Sequence, residues 1–470
     1  MRRLSDVLPE LLSSAPGKAG TVLFGVLLLV AAYVVLTFPA DFGPARWSNP
    51  ALWGDYPKTA PPVWTNLFGA NRPEHRILEA RTPTRTDGKV KTYVLPLDYQ
   101  ASQPPTFLSF SVGDVTYQAH PPTVEAVLIR PDGGAVRLYQ TVPGGPQPGE
   151  TPPYRRNFQE PLRVQLETEP TAVEAAYNFL SEKYDPHLNF DEVGRQLPLA
   201  LFGTVVDGRF VVLKGGYRLE AKVRLDNPQD SVGLVRFVVG GAVYGLMGTD
   251  SQGRDLAQGL LFGLPIALAI GLAVSTLSTL LGTALGLVSG YAGGPTDLLI
   301  QRAADIVNNV PTLPLLIFVV FVLGAKLWLV LLMLILFSWP GLTILVRSMV
   351  LSLRSSPEVE AARALGCSTG RIIAYHLFPH IAPFIFATLI FSAPGAILAE
   401  AGLSFIGLGD PTLPTWGQIL EQGFRTGAVF NGYWWWIIPP GLLIVLTALA
   451  FMLISLGLEP ILNPRLRRET

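Results

Sequence analysis

The sequence predicts an α-helical polytopic membrane protein of six spans, with an inserted α+β, mostly β, domain held outside the membrane. Three observations carry that reading. Apolar residues make up 49% of the 470-residue chain and charged residues only 15%, with a mean hydropathy of +0.37, which is a membrane protein's balance. Uncharged runs long enough to cross a hydrocarbon core of roughly 30 Å recur along the chain. One polar interval between them, residues 39–258, is long enough to bury a core of its own.

Residues 1–20, with Arg2, Arg3 and Lys18, form a basic lead, and 21–38 is the first span. Pro39-Ala40-Asp41-Phe42 offers no small-x-small cleavage site, so this run is expected to stay as a membrane anchor. Within 39–258, Asn49 to Pro62 reads as an irregular lead-in. Tyr93 to Leu97, Thr106 to Val112 and Val124 to Arg130 read as strands. Pro131-Asp132-Gly133-Gly134 turns into Ala135 to Tyr139, and Asp207-Gly208 joins Gly203 to Val206 with Arg209 to Leu213, so two hairpins are expected. Thr171 to Tyr184 carries Val173, Ala176, Phe179 and Leu180 at helical spacing, and Gly144 to Gly149 is a flexible loop.

The remaining spans are expected at about 259–289, 299–323, 328–348, 380–398 and 434–458, a five-helix core over 259–458. Arg302 and Asp305 place an interfacial first turn at the third span, whose apolar part begins nearer Val310. Gly282, Gly286 and Gly290 repeat every fourth residue, which bares one helix face for close packing. Tyr433 and Trp434-Trp435-Trp436 read as an aromatic belt at the outer surface. Positive charge in short loops marks the cytoplasmic side. Arg347, Arg354, Arg363, Arg371 and the basic tail within 459–470, Pro464-Arg465-Leu466-Arg467-Arg468, fall on the same side as the N-terminal lead.

The polar segment 355–380 is the most informative. Ser356, Pro357 and Glu358 form a helix start, combining a capping hydroxyl, a proline where no N–H is needed and an acid at the positive helix end. A short helix from about Pro357 to Leu365 follows, with Gly366 as a left-handed stop. Ser368 or Thr369 then caps a second short helix through Arg371 to Tyr375, set at an angle to the first. Small Ala361, Ala362 and Ala364 beside charged Glu360 and Arg363 make a knob suited to a groove on another protein. A solvated amphipathic loop is the plainer alternative.

Glu360-Ala361-Ala362-Arg363-Ala364-Leu365-Gly366, followed by Phe378-Pro379, resembles the coupling loop of ABC importer permeases. The resemblance runs from Gly248 to the C-terminus and is to the second permease subunit of dipeptide, oligopeptide and nickel importers. It includes Gly248-Thr249-Asp250-Ser251-Gln252-Gly253-Arg254-Asp255, then Gly290-Tyr291-Ala292-Gly293-Gly294 with Asp297. It continues with Ala401 to Gly409, Pro414-Thr415-Trp416-Gly417, and Pro464 to Arg467. Phe378 stands where the family has leucine, Ile454-Ser455-Leu456-Gly457 lacks a Gly-Asp pair, and the 39–258 insertion replaces a short loop.

The resemblance implies a type I importer permease in the plasma membrane of a prokaryote, with both termini cytoplasmic. Its implied partners are a second permease, two cytoplasmic ATPase subunits that bind ATP and Mg, an external substrate-binding protein, and the lipid bilayer. Peptide is the first cargo it suggests. Glu360, Ala361, Ala362, Arg363, Gly366 and Pro379 are the implied coupling residues. Gly248, Thr249, Asp250, Gly253, Arg254 and Asp255 stand either as an outer-face gate or docking contact, or as a local salt bridge and cap before the second span.

Several function classes are disfavoured. The chain has no Gly-x-x-x-x-Gly-Lys-Ser/Thr phosphate loop, so no ATPase and no cofactor are expected on it. Thirty-five basic residues balance thirty-five acidic ones without a long basic run, which gives no support for nucleic-acid binding. His75, His120 and His187 lack metal-ligand spacing, and His376 and His380, separated by Pro379, read as structural or interfacial. Cys367 is the only cysteine, so the inserted domain has no disulfide. The size of the insertion keeps a second class open, a transmembrane mechanical transmitter or sensor acting through its exported domain. An accessory scaffold for binding proteins is compatible with import.

Overall fold

The computed structural model describes residues 9, 11–69, 71–206 and 208–462. Arg2, Arg3, Asp207 of the expected turn and the tail Pro464 to Arg468 lie outside the described residues. The chain divides into two compact units: a helical one, Met1–Asn49 with Ala257–Thr470, and a strand-rich one, Pro50–Leu256.

The helical unit begins with α1, Ala15–Thr37. The Ser14 hydroxyl oxygen accepts the Gly17 N–H at 3.0 Å, and Pro16 occupies a first-turn position that needs no donor. Val22, Leu29, Val35 and Leu36 are exposed on a helix that is apolar all round, as a membrane span requires. The buried side of α1 carries Gly20, where an added Cβ would lie 2.7 Å from the Ile454 amide nitrogen.

The strand-rich unit holds β1 Arg76–Ala80, β2 Arg85–Asp87, β3 Val90–Tyr99, β4 Leu108–Tyr117, β5 Thr123–Ile129, β6 Ala135–Thr141, β7 Tyr154–Arg156, β8 Leu162–Gln165, helix α2 Pro170–Lys183, β9 Gly203–Val206, β10 Arg209–Val212, β11 Gly215–Arg224 and β12 Ser231–Val239. One antiparallel sheet runs β1-β12-β4-β7, with β8 also on β4, and the other runs β2-β3-β11-β5-β6, while β9 and β10 form a separate hairpin. Period-2 alternation turns Tyr93, Leu95 and Leu97 of β3 and Tyr217, Leu219, Ala221 and Val223 of β11 into one core shared with Phe110 and Phe237 of the other sheet.

Two polar knots pin this unit. Asp55 accepts from Arg163 Nε at 2.6 Å, Arg236 Nη1 at 3.1 Å and the Ser109 hydroxyl at 3.3 Å, tying the lead-in to three strands. Arg130, 2% exposed, donates to the carbonyls of Ala200 and Leu201 at the end of the short helix Leu197–Leu201, which lack intrahelical partners.

Downstream lie α3 Leu256–Ala292, α4 Gly294–Asn309, α5 Thr312–Leu323, α6 Leu327–Leu353, α7 Pro357–Ala364, α8 Phe378–Phe405, α9 Trp416–Arg425 and α10 Trp434–Leu462. The expected third span, 299–323, is not one straight helix: α4 and α5 meet at 79°. Pro311 lacks an N–H and pushes Val310 into an extended conformation (φ −74°, ψ 125°), which ends α4. Among the described residues five helices are long and apolar enough to span, or six if this bent pair counts as one.

Gly282, Gly286 and Gly290 lie against α6. An added Cβ would stand 2.9 Å from the Trp339 carbonyl, 2.6 Å from Val346 Cβ and 2.7 Å from Val350 Cβ, respectively. The triple tryptophan differs from a plain belt: Trp436 is buried and its indole N–H donates to the Ile419 carbonyl of α9 at 3.1 Å. Only Trp434 of the three is exposed.

Candidate functional site: the polar segment between α6 and α8

Helix α7 is built by its own sequence signals. Pro357 fills the first turn and Glu358 and Glu360 lie at its positive end. Ser356 takes the extended capping conformation but its side chain makes no cap bond, and Ser368 makes none either, contrary to the expected hydroxyl caps. At the other end Gly366 has φ +77°, its N–H donates to the Arg363 carbonyl at 3.0 Å, and the Cys367 N–H reaches the Ala362 carbonyl at 3.1 Å. This pair of bonds is a Schellman stop, and its left-handed residue favours glycine.

The helix has two faces. Val359 and Ala362 are buried with Val350, Ile372, Leu377 and Ile381, so Ala362 supports the segment from beneath and does not present itself to a partner. Glu360, Ala361, Arg363 and Gly366 are exposed. Leu365, which the sequence reading passed over, stands 85% exposed at the tip. Its signal was an apolar residue immediately before a helix-stopping glycine in a polar loop.

The second short helix is not a separate arm. One α turn, Thr369–Ile372, passes through a π turn, Ile373–Leu377, into α8, giving a continuous helix Thr369–Phe405. The Phe378 N–H reaches back to the Ile373 carbonyl. The wider turn accommodates Pro379, which has no N–H to give, so Pro379 does not break the helix.

His376 and His380 converge on one carboxylate: His376 Nδ1 lies 2.9 Å from Glu358 Oε1, and His380 Nε2 lies 3.2 Å from Oε2. These contacts, His376 first, hold the Glu358 carboxyl below its usual range. The two histidines brace α7 against the start of α8. Among the described residues no group of three His, Cys, Asp or Glu side chains is arranged to hold a metal ion.

The Gly248–Asp255 run forms a buried knot. The Thr249 hydroxyl donates to the Pro57 carbonyl at 2.7 Å and accepts the Ala60 N–H at 2.9 Å. Asp250 accepts the N–H groups of Gln252 and Arg254, and Arg254 Nε as well. The Gly248 carbonyl accepts the Leu256 N–H at 3.1 Å, Thr249 and Asp255 form a bridge, and a Cβ on Gly253 would stand 2.9 Å from the Tyr56 carbonyl. Thr249, Asp250, Arg254 and Asp255 are all buried.

Residues 282–468 match the family described as binding-protein-dependent transport system inner membrane component. The chain is 33% identical over 222 residues to the dipeptide transport system permease protein DppC of Bacillus subtilis (strain 168), covering 47% of this chain and 69% of the relative. It is 37% identical over 223 residues to the dipeptide permease DppC of Alkalihalophilus pseudofirmus, covering 47% and 72%. An inward-facing methionine ABC transporter structure, MetNI, aligns with 44% of this chain and 97% of its own at 18% identity and a TM-score of 0.35. The sequence relatives define the class of the helical unit as a transport-system permease. The chain belongs to the binding-protein-dependent transport system inner membrane component family, as a multi-pass permease with a strand-rich domain inserted after its first helix. These relatives give the transmitter alternative no support.

Proposed function

We propose that this chain is one membrane half of an ATP-driven peptide importer, and that 355–380 is the surface through which ATPase subunits drive it. The observation that carries this is the braced polar segment: α7 is fixed from below by Val359 and Ala362, ended by Gly366, and tipped by a bare leucine. An apolar side chain with no cover, on a short rigid helix flanked by Glu360 and Arg363, suits a groove on a soluble protein. Peptide as cargo is supported by the names of the relatives, both dipeptide permeases.

On this reading Glu360, Ala361, Arg363, Leu365 and Gly366 meet the ATPase, while Ala362 and Pro379 set the segment's shape. A second permease completes the path, an external binding protein delivers cargo, and ATP and Mg reside on the two ATPase partners. Both termini and 355–380 face the cytoplasm, and the strand-rich unit lies on the far side. The Gly248–Asp255 knot orders the start of α3 and is not a docking face, because its side chains are buried. Glu360→Lys and Gly366→Trp should leave the protein at normal level in the membrane and abolish uptake of a labelled peptide mixture in cells. Normal uptake by both overturns the assignment.

A further inference from the structure

Two loops of the strand-rich unit carry large apolar side chains that its core does not use. Val63–Phe68 is a 3-10 helix with no buried residue, and its Leu67 and Phe68 stand 83% and 82% exposed. Leu246, on the loop after β12, is 73% exposed.

Hydrogen bonds make the two loops one patch. The Val63 N–H donates to the Gly245 carbonyl at 3.0 Å, the Tyr244 N–H to the Pro61 carbonyl at 2.9 Å, and the Trp64 indole N–H to the Leu246 carbonyl at 2.9 Å. The Trp64 and Phe68 rings meet edge to face with centroids 6.3 Å apart. Polar bonds fix the shape from behind. Asn66 Nδ2 donates to the Arg72 carbonyl at 3.0 Å, Asn66 Oδ1 accepts the Arg72 N–H at 3.3 Å, and Arg72 Nη2 donates to the Thr65 hydroxyl at 3.0 Å. The loop is thus held with its apolar side outward, and an exposed patch of that kind marks an interaction surface.

What meets the patch follows from where it is tied. Leu246 is two residues from Gly248, whose carbonyl accepts the N–H of Leu256, the first residue of α3, at 3.1 Å. Two residues of chain reach at most about 7 Å. From Leu256 to Ala292 α3 carries no charged residue, so its first turn belongs at the membrane surface. Composition agrees with that position. Residues 59–71 and 237–249 hold no charged side chain, and the first stretch is bracketed by Lys58 and Arg72. Tryptophan with its N–H satisfied, phenylalanine and leucine on an uncharged tip with basic residues behind suit a headgroup boundary. A docked protein would find no charge on these tips to orient it.

We propose that Trp64, Leu67, Phe68 and Leu246 seat the strand-rich unit on the bilayer, inserting into the headgroup and upper acyl region of the leaflet at which α3 begins. This role goes beyond the coupling proposed for 355–380 and does not depend on it.

The test uses the complex purified through this chain in nanodiscs of phosphatidylethanolamine and phosphatidylglycerol. A nitroxide is placed at Phe68→Cys in a Cys367→Ser background. Val142→Cys, an exposed apolar position of the same unit outside the patch, is the control. Relaxation of the label by oxygen, which concentrates in lipid, is compared with relaxation by a water-soluble nickel chelate. The oxygen-to-nickel ratio at Phe68 should stand several-fold above that at Val142. Equal ratios at the two positions overturn the proposal. A Phe68 label shielded from both reagents assigns the patch to a protein partner and overturns it as well. Should Phe68→Cys fail to reach the membrane, Leu67→Cys and Leu246→Cys report on the same patch, and each must show the raised ratio. A raised ratio with normal uptake by Gly366→Trp removes the coupling role alone, and equal ratios with Gly366→Trp inactive remove the membrane seat alone.

Discussion

His376 Nδ1 and Glu358 Oε1 lie 2.9 Å apart, joining the first turn of α7 to the π turn that leads into α8. With His380 on the other oxygen, the carboxylate holds the two arms of the polar segment together.

The Glu358 carboxyl is held below its ordinary value of 4.5 by His376, then by His380. A depressed acid contributes stability that is present above that value and is lost as pH falls through the folded one. Amide exchange across residues 357–365, corrected for intrinsic rate, should therefore rise when pH drops from 6 to below 4.5. Glu358→Gln should show that faster exchange already at pH 6. Equal protection in parent and variant at pH 6 would contradict the brace.

His75 adds a second loss of stability on acidification, in the strand-rich unit. Its ring sits among Tyr56, Phe107 and Tyr244 with both nitrogens buried and unbonded to other protein groups, and burial lowers its pKa from 6.5 to about 4, with Asp55 opposing. Between those values the unfolded chain binds the proton and the folded one does not, so the strand-rich unit loses stability as pH falls from 6.5 to about 4. The loss is on the order of 3 kcal/mol. His75→Phe fits the aromatic surroundings and should flatten the dependence, as read by protease resistance of 50–256 in the full chain. An unchanged slope would refute it.

Asp55→Ala leaves Arg163 and Arg236 facing each other without their shared carboxylate. A cost of about 3 kcal/mol follows from breaking a largely buried ion pair on one side. The same protease assay should show the strand-rich unit cut at lower temperature while the helices persist. A loss indistinguishable from that of an exposed Asp→Ala change would contradict it.

Gly286→Leu forces a Cβ to within 2.6 Å of Val346 Cβ, backed by a second contact at the Thr343 carbonyl. Overpacking of this kind costs about 1–3 kcal/mol or parts the helices. Gly341 is the control, with nothing within 4 Å of an added Cβ. Thermal melting of the detergent-solubilised protein should fall for Gly286→Leu and stay put for Gly341→Ala.

The spans were legible because lipid leaves a backbone few choices, so a long uncharged run already implies a helix. The same holds for α7, whose proline, acids and glycine act within a few residues. The bend at Val310-Pro311 needed more weight than hydropathy gives it. Strands β11 and β12, central to their sheets, went unread although Tyr217, Leu219, Ala221 and Val223 alternate plainly. Which face of α7 is buried, and so the inward turn of Ala362, depends on Val350 and Ile381 from other elements. Asp55 finds its arginines more than a hundred residues away. No local pattern encodes such pairings.

The most direct test of the coupling role is a photo-crosslinking amino acid at Leu365, irradiated in native membranes. The structure leaves this side chain bare at the tip of α7, and the account predicts an adduct to a nucleotide-binding ATPase that weakens with Gly366→Trp. Crosslinks to lipid alone, or to an external protein, would contradict it.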